Sequence, residues 1–194
     1  MRHAHYKAAR RGLPAAVAVG ALAVALGAGP SGAQTPAEPA EIVMKIDGRS
    51  LDFKGSRQVV AGEQLRIRNA TNPSRIGPHT FTLVTARLLP KPRSFKGCFG
   101  RGRICRRVAV AHRVNFKTEK VGRPLFKTGK EGWDKPFTRN RTSTGDTWFT
   151  ARKSETISQV VSAKAGTTLR YMCAIHPEMQ GRIDVVQGAT PPAP

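Results

Sequence analysis

A chain of 194 residues with 33 Lys and Arg against 12 Asp and Glu, a net charge of +21, has the length for one domain with a real core and a surface that draws anions. No recognised nucleic-acid module accompanies the charge, so nucleic acid is not the expected partner.

The N-terminus explains part of that exclusion. Arg2, Lys7, Arg10 and Arg11 precede an apolar, Ala- and Val-rich run from Leu13 to Ala28, the layout of a secretory signal peptide. The run is too short and too rich in Ala and Gly for a transmembrane helix, and Ser31-Gly32-Ala33 offers small residues for cleavage before Gln34. Arg10-Arg11 leaves the choice between the general and the twin-arginine export routes open. Export to the periplasm, cell envelope or exterior is therefore expected, with 1–33 as signal, 34–40 as a Pro/Ala-rich linker and 188–194 as a flexible Pro-rich tail.

Between linker and tail, apolar residues recur at period two. Ile42 to Ile46, Gln64 to Arg68, His79 to Val84, Thr168 to Met172 and Gly181 to Val186 all read as short strands, and Gly62 and Gly166 each set a turn just before one of them. No convincing amphipathic helix follows the signal. The pattern predicts an all-β fold over 41–187, an antiparallel sandwich or barrel with Greek-key connections.

Residues 86–152 break the pattern and read as a long basic insertion, partly ordered by its aromatic residues, lying as a flap on one flank of the sandwich. In an oxidising compartment, Cys98 and Cys105 are close enough in sequence to pair, which leaves Cys173 alone. A lone thiol in an exported chain calls for an explanation, and metal ligation supplies one.

The segment Tyr171-Met172-Cys173-Ala174-Ile175-His176-Pro177-Glu178-Met179 places a thiolate, an imidazole and a thioether on one turn between two predicted strands. Soft sulfur with imidazole favours copper over hard cations, and two His with one Cys and a weak axial Met is an electron-transfer copper arrangement. The second imidazole has to come from elsewhere. His79 opens a strand after Gly77-Pro78 and is the best candidate, His112 lies in the insertion, and His3 and His5 leave with the signal.

With Gly77-Pro78-His79-Thr80-Phe81-Thr82 upstream and Cys173-x-x-His176-x-x-Met179 downstream, the chain resembles the cupredoxins, the type 1 (blue) copper family that includes plastocyanin and amicyanin. The resemblance covers 41–85 and about 155–187, and the spacing of the second motif is that of a short, amicyanin-like ligand loop. It implies a Greek-key β-sandwich of eight or so strands, with one copper ion near one end held by His79, Cys173, His176 and Met179, cycling between Cu(I) and Cu(II) as an electron carrier. Two departures stand out. Many members have Asn after the first His ligand, where its side chain ties the ligand loops together; here that residue is Thr80, so the surroundings of the ligands must be built differently. The long insertion is also unexplained by the resemblance.

An enzyme is not expected, because Met172 stands where multicopper oxidases place a His before the ligand Cys, and no His-x-His pair follows the signal. A copper chaperone or storage protein of the envelope is the alternative function. The charge predicts a redox partner protein with an acidic surface, with anionic envelope polymers as further candidates, and the chain is expected to be a monomer.

Overall fold

The computed structural model describes residues 38–188. The expected signal 1–33, most of the expected linker and nearly all of the expected tail lie outside the described residues. Among the described residues, no helix is long and apolar enough to cross a membrane.

Among the described residues, ten strands form two sheets. The first sheet holds β1 (Ala40–Asp47), β2 (Ser50–Gly55), β4 (Gln64–Asn69) and β8 (Thr156–Val160), in the order β2-β1-β4-β8. The second holds β3 (Gln58–Val60), β5 (His79–Leu83), β6 (Leu125–Phe126), β7 (Thr147–Thr150), β9 (Thr168–Met172) and β10 (Gln180–Val186), in the order β3-β10-β9-β5-β7-β6. This is the cupredoxin-like β-sandwich that the sequence predicts, with one correction: the sheets are mixed, because β1 runs parallel to β4 and β3 parallel to β10.

Side-chain alternation closes the sandwich. Ile42 and Met44 on β1 and Leu65 and Ile67 on β4 face Phe81, Leu83, Leu169, Tyr171, Ile183 and Val185 of the other sheet, all buried in one apolar cluster. Phe81 is its hub. Its ring centroid lies 4.7 Å from Tyr171, 5.2 Å from Trp133 and 6.0 Å from Phe53, in tilted and edge-on arrangements that each add about 0.5–1.5 kcal/mol to the burial itself.

Strand β5 is buried at all five positions, which shows that both faces of the second sheet are covered near it. The inner face carries His79, Phe81 and Leu83. Opposite strands share faces, so Met172, level with Thr82, points outward with Thr80. That outer face is covered by the segment 86–152. Val84, Met172 and Ala174 pack there against Cys98, Ile104, Cys105, Val108, Ala111 and Phe137 in a second apolar cluster.

The segment differs from a flap laid on a finished sandwich. It contains a helix, Ile104–Ala111, that the sequence reading did not foresee; its two turns bury Ile104, Cys105, Val108 and Ala111 along one stripe. It supplies β7, hydrogen-bonded to β5, and Trp133, which is fully buried in the main core. Cys98 and Cys105 are disulfide-bonded, as expected, with Cα atoms 5.2 Å apart. Asp146, fully buried, gathers the loops around Trp133: its carboxylate accepts backbone N–H groups from Thr128 at 3.1 Å, Asp134 at 3.0 Å and Lys135 at 2.8 Å.

Candidate metal centre

Three local features bring the expected ligands together at one end of the sandwich. A short helix α1 (Pro73–Ile76), capped by the Asn72 side chain on the Ser74 N–H, ends at Gly77, whose φ of 83° turns the chain into Pro78 and β5. His79 is thus the first residue of a central strand, facing inward. From the neighbouring strand β9 the chain passes straight into Cys173, and a tight turn follows in which the Met179 N–H bonds to the His176 carbonyl at 2.9 Å and the Cys173 N–H to the Met179 carbonyl at 3.0 Å. That turn leads into β10.

The geometry that results is compact. His79 Nδ1 and His176 Nδ1 are 3.1 Å apart, and Cys173 Sγ lies 3.8 Å from the first and 3.7 Å from the second. The point equidistant from these three atoms is about 2.1 Å from each, which is the range of nitrogen and sulfur bonds to a first-row metal ion. Among the described residues this is the one such cluster of His, Cys and acidic side chains. His79, Cys173 and Met179 are fully buried, Met179 in the same apolar cluster as Cys173, while His176 is half-buried and is the donor closest to solvent.

Both imidazoles are set in one tautomer by partners on their far nitrogens. His176 Nε2 donates to the Ile76 carbonyl at 2.9 Å, which leaves the Nδ1 lone pair aimed at the site. His79 Nε2 meets Thr71 Oγ1 at 2.9 Å; Thr71 Oγ1 in turn donates to Asn69 Oδ1 at 2.6 Å, so the hydroxyl accepts from His79 and its Nδ1 is likewise free. The relay continues from Asn69 Nδ2 to Thr150 Oγ1 at 3.3 Å and from Thr150 Oγ1 to Glu155 at 2.8 Å.

Burial, with repulsion from His176 added, pushes His79 from the ordinary histidine value of 6.5 down to about 4, and burial lowers His176 as well. Both rings are therefore neutral donors at neutral pH. Burial raises the Cys173 thiol, partly countered by backbone N–H groups aimed at the sulfur, including Thr80 at 3.3 Å and His176 at 3.4 Å. A thiolate here needs a cation beside it.

Thr80 resolves the departure noted in the sequence. Its N–H points at Cys173 Sγ, and its Oγ1 accepts the buried Ala174 N–H at 2.7 Å, so one residue ties β5 to the ligand loop from both its backbone and its side chain. Gln180 fastens the other side of that loop, donating to the Pro177 carbonyl at 2.7 Å and to the Pro90 carbonyl at 2.8 Å. Sequence reasoning missed Thr71, Asn69 and the Ile76 carbonyl. The Asn69-Ala70-Thr71-Asn72-Pro73 turn just upstream of the His motif was the available signal. His112 is no part of the cluster: it is buried in the 86–152 segment, between the Arg123 carbonyl and Thr147 Oγ1.

His79, Cys173, His176 and Met179 thus form a type 1 copper-like site. The site and the sandwich carrying it are cupredoxin-like.

No family model matches the chain, and no curated protein does. Among solved structures, auracyanin B aligns over 79% of this chain and 91% of its own length, at 17% identity and a TM-score of 0.41. The dithionite-reduced auracyanin of the photosynthetic bacterium Roseiflexus castenholzii aligns over 75% and 94%, at 15% identity and a TM-score of 0.36. The ligand geometry stands on its own atoms.

Proposed function

We propose that this chain is an exported one-electron carrier whose single copper ion is held by His79, Cys173, His176 and Met179. The observation behind the proposal is the triangle of two imidazole nitrogens and one sulfur, sized for a first-row ion, with both rings fixed in the donating tautomer. Bound there, copper supplies a one-electron couple between Cu(I) and Cu(II).

The chain's own part is to hold the donors still while the charge at the site changes. Thr71 and the Ile76 carbonyl keep the rings from turning, Thr80 and the His176 N–H steady the sulfur, and Gln180 fixes the loop between them. A store or chaperone that must hand over its ion needs donors that swing outward, whereas Cys173 and Met179 are fully buried. Retention favours electron transfer.

The half-buried His176 is the natural electron port. Beside the ligand loop lies an apolar cavity of about 360 Å³, lined by Pro78, Ala174 and Ile175 together with Phe99 and Phe116 of the 86–152 segment, the last two exposed. A redox partner seated there meets the site at close range. Support for export comes from the basic and apolar N-terminal sequence and from the Cys98–Cys105 bond, which suits an oxidising compartment.

Expression with its leader, purification in air with added copper, and visible absorption and EPR spectroscopy provide the test. The expected result is an intense thiolate-to-copper band with one copper per chain, lost in Cys173→Ser while the far-UV spectrum is kept. A protein that binds copper without colour, or a Cys173→Ser variant that stays coloured, would overturn the proposal.

A further inference from the structure

A wide concavity lies away from the ligand triangle, on the 86–152 segment. Its volume is about 920 Å³, within the usual range for a ligand pocket, and seven arginines and one lysine line it with no acidic residue among them. Four ion pairs occur among the described residues, and all of them involve Lys54, Arg66 or Arg68, none of which lines this groove. Like charges gathered in a concave wall repel one another unless an anion joins them.

The groove is held open by structure. Arg101 and Arg103 stand on the short loop closed by the Cys98–Cys105 disulfide, at the start of the Ile104–Ala111 helix, so their backbone is fixed before any ligand arrives. Arg107, on that helix, spends its guanidinium internally on the carbonyls of Thr138, Asn140 and Ser143, which seats the facing loop bearing Arg139 and Arg141. Arg141 reaches across to Gly102, where its guanidinium lies 3.3 Å from the place a Cβ would take; with φ of 71° as well, this position suits glycine. Arg87 and Arg93 complete the rim from the two short turns after β5. Apart from Arg107, no groove arginine makes a side-chain hydrogen bond within the described residues, so the forks face solvent.

The excess of Arg over Lys selects the chemistry, because the planar guanidinium grips two oxygens of one phosphate or carboxylate at once. No aromatic ring lines the groove, so there is nothing on which a nucleobase would stack. We propose that this groove binds a soluble chain of phosphate groups, of which inorganic tripolyphosphate is the simplest form. The site is independent of the metal centre and of the electron-carrier reading.

Calorimetric titration of the copper-loaded full protein with tripolyphosphate, at about 150 mM salt so that diffuse attraction is screened, tests this. Saturable binding of one ligand per chain is expected, weakened about tenfold or more in the double variant Arg101→Gln, Arg141→Gln. The control double variant Lys45→Gln, Arg49→Gln removes the same charge from the exposed β1–β2 hairpin and should change affinity less than about twofold. An unchanged far-UV spectrum and melting temperature in both variants verify folding. Equal weakening in the two variants would reduce the binding to overall charge and overturn the proposal. So would a glutamate-rich peptide that binds as tightly and with the same dependence on Arg101 and Arg141, or binding to phosphatidylglycerol vesicles without binding to tripolyphosphate.

Discussion

Thr80 shows how much a single residue beside a metal site can be asked to do. Its hydroxyl is the acceptor for the buried Ala174 N–H and for the Thr82 hydroxyl at 3.0 Å. Thr80→Val keeps the shape but strands that N–H, so a loss of about 1–3 kcal/mol is expected in urea unfolding of the copper-free protein, with Thr80→Ser restoring most of it. Equal stability of the valine and serine variants would remove Thr80 from this role. His112 gives a residue-scale prediction of pH dependence. Burial lowers its pKa, the Arg123 carbonyl offsetting part of the effect. A depressed histidine takes up its proton in the unfolded chain first, so the stability tied to it is complete above the ordinary value of 6.5 and declines as pH falls below it. Unfolding midpoints followed from pH 7.5 to 5 should therefore fall less steeply in His112→Gln than in the parent, and identical slopes would contradict the assignment.

At the scale of elements, what the sequence made legible follows from how each element is buried. Strands β1 and β4 alternate because one face of each is apolar, with Ile42 and Met44 or Leu65 and Ile67 inward, so their period survives in the sequence. The ligand loop was legible for a different reason: Cys173, His176 and Met179 are close in sequence, and their chemistry is specific. Strand β2 carries one fully inward apolar residue, Phe53, and β7 buries Thr147 and Thr150 along with Trp148, so neither shows an amphipathic period. The helix Ile104–Ala111 is two turns long, and its stripe is interrupted in sequence by Arg106 and Arg107. Asp146 was equally hidden, since one acid in a basic stretch does not announce that it is buried. Its removal is the test at this scale. Asp146→Ala leaves three N–H groups without their acceptor, and a loss of about 3 kcal/mol or more is expected in thermal unfolding, together with a changed near-UV signal from Trp133. A variant as stable as the parent would mean that those loops are organised by something else.

For the whole molecule, the question is what a net charge of +21 does for the proposed electron carrier, in which three of the four donors are buried and His176 is half-buried. The 86–152 segment cannot be a detachable docking device, because Trp133 sits in the main core and β7 is bonded to β5. Its charges can still be changed without touching those contacts. Val114, Phe116, Glu119 and Val121 line the apolar cavity beside Ala174 and Ile175, and the exposed cations Arg113, Lys117 and Lys120 are interleaved with them in sequence. A partner approaching the ligand loop therefore meets an apolar seat rimmed with positive charge, an arrangement that speeds encounter with an acidic surface and is screened by salt. Replacing Arg113, Lys117 and Lys120 together by Gln should leave the copper spectrum and reduction midpoint of the loaded protein nearly unchanged. Stopped-flow electron exchange with an acidic redox protein should slow by about tenfold at low ionic strength and lose most of its dependence on salt. The groove variant Arg101→Gln, Arg141→Gln, which removes comparable charge elsewhere on the same segment, should slow exchange much less. If the two variants slow exchange alike, total charge governs association. If neither does, the partner docks on another face and the cavity beside the ligand loop has no part in the encounter.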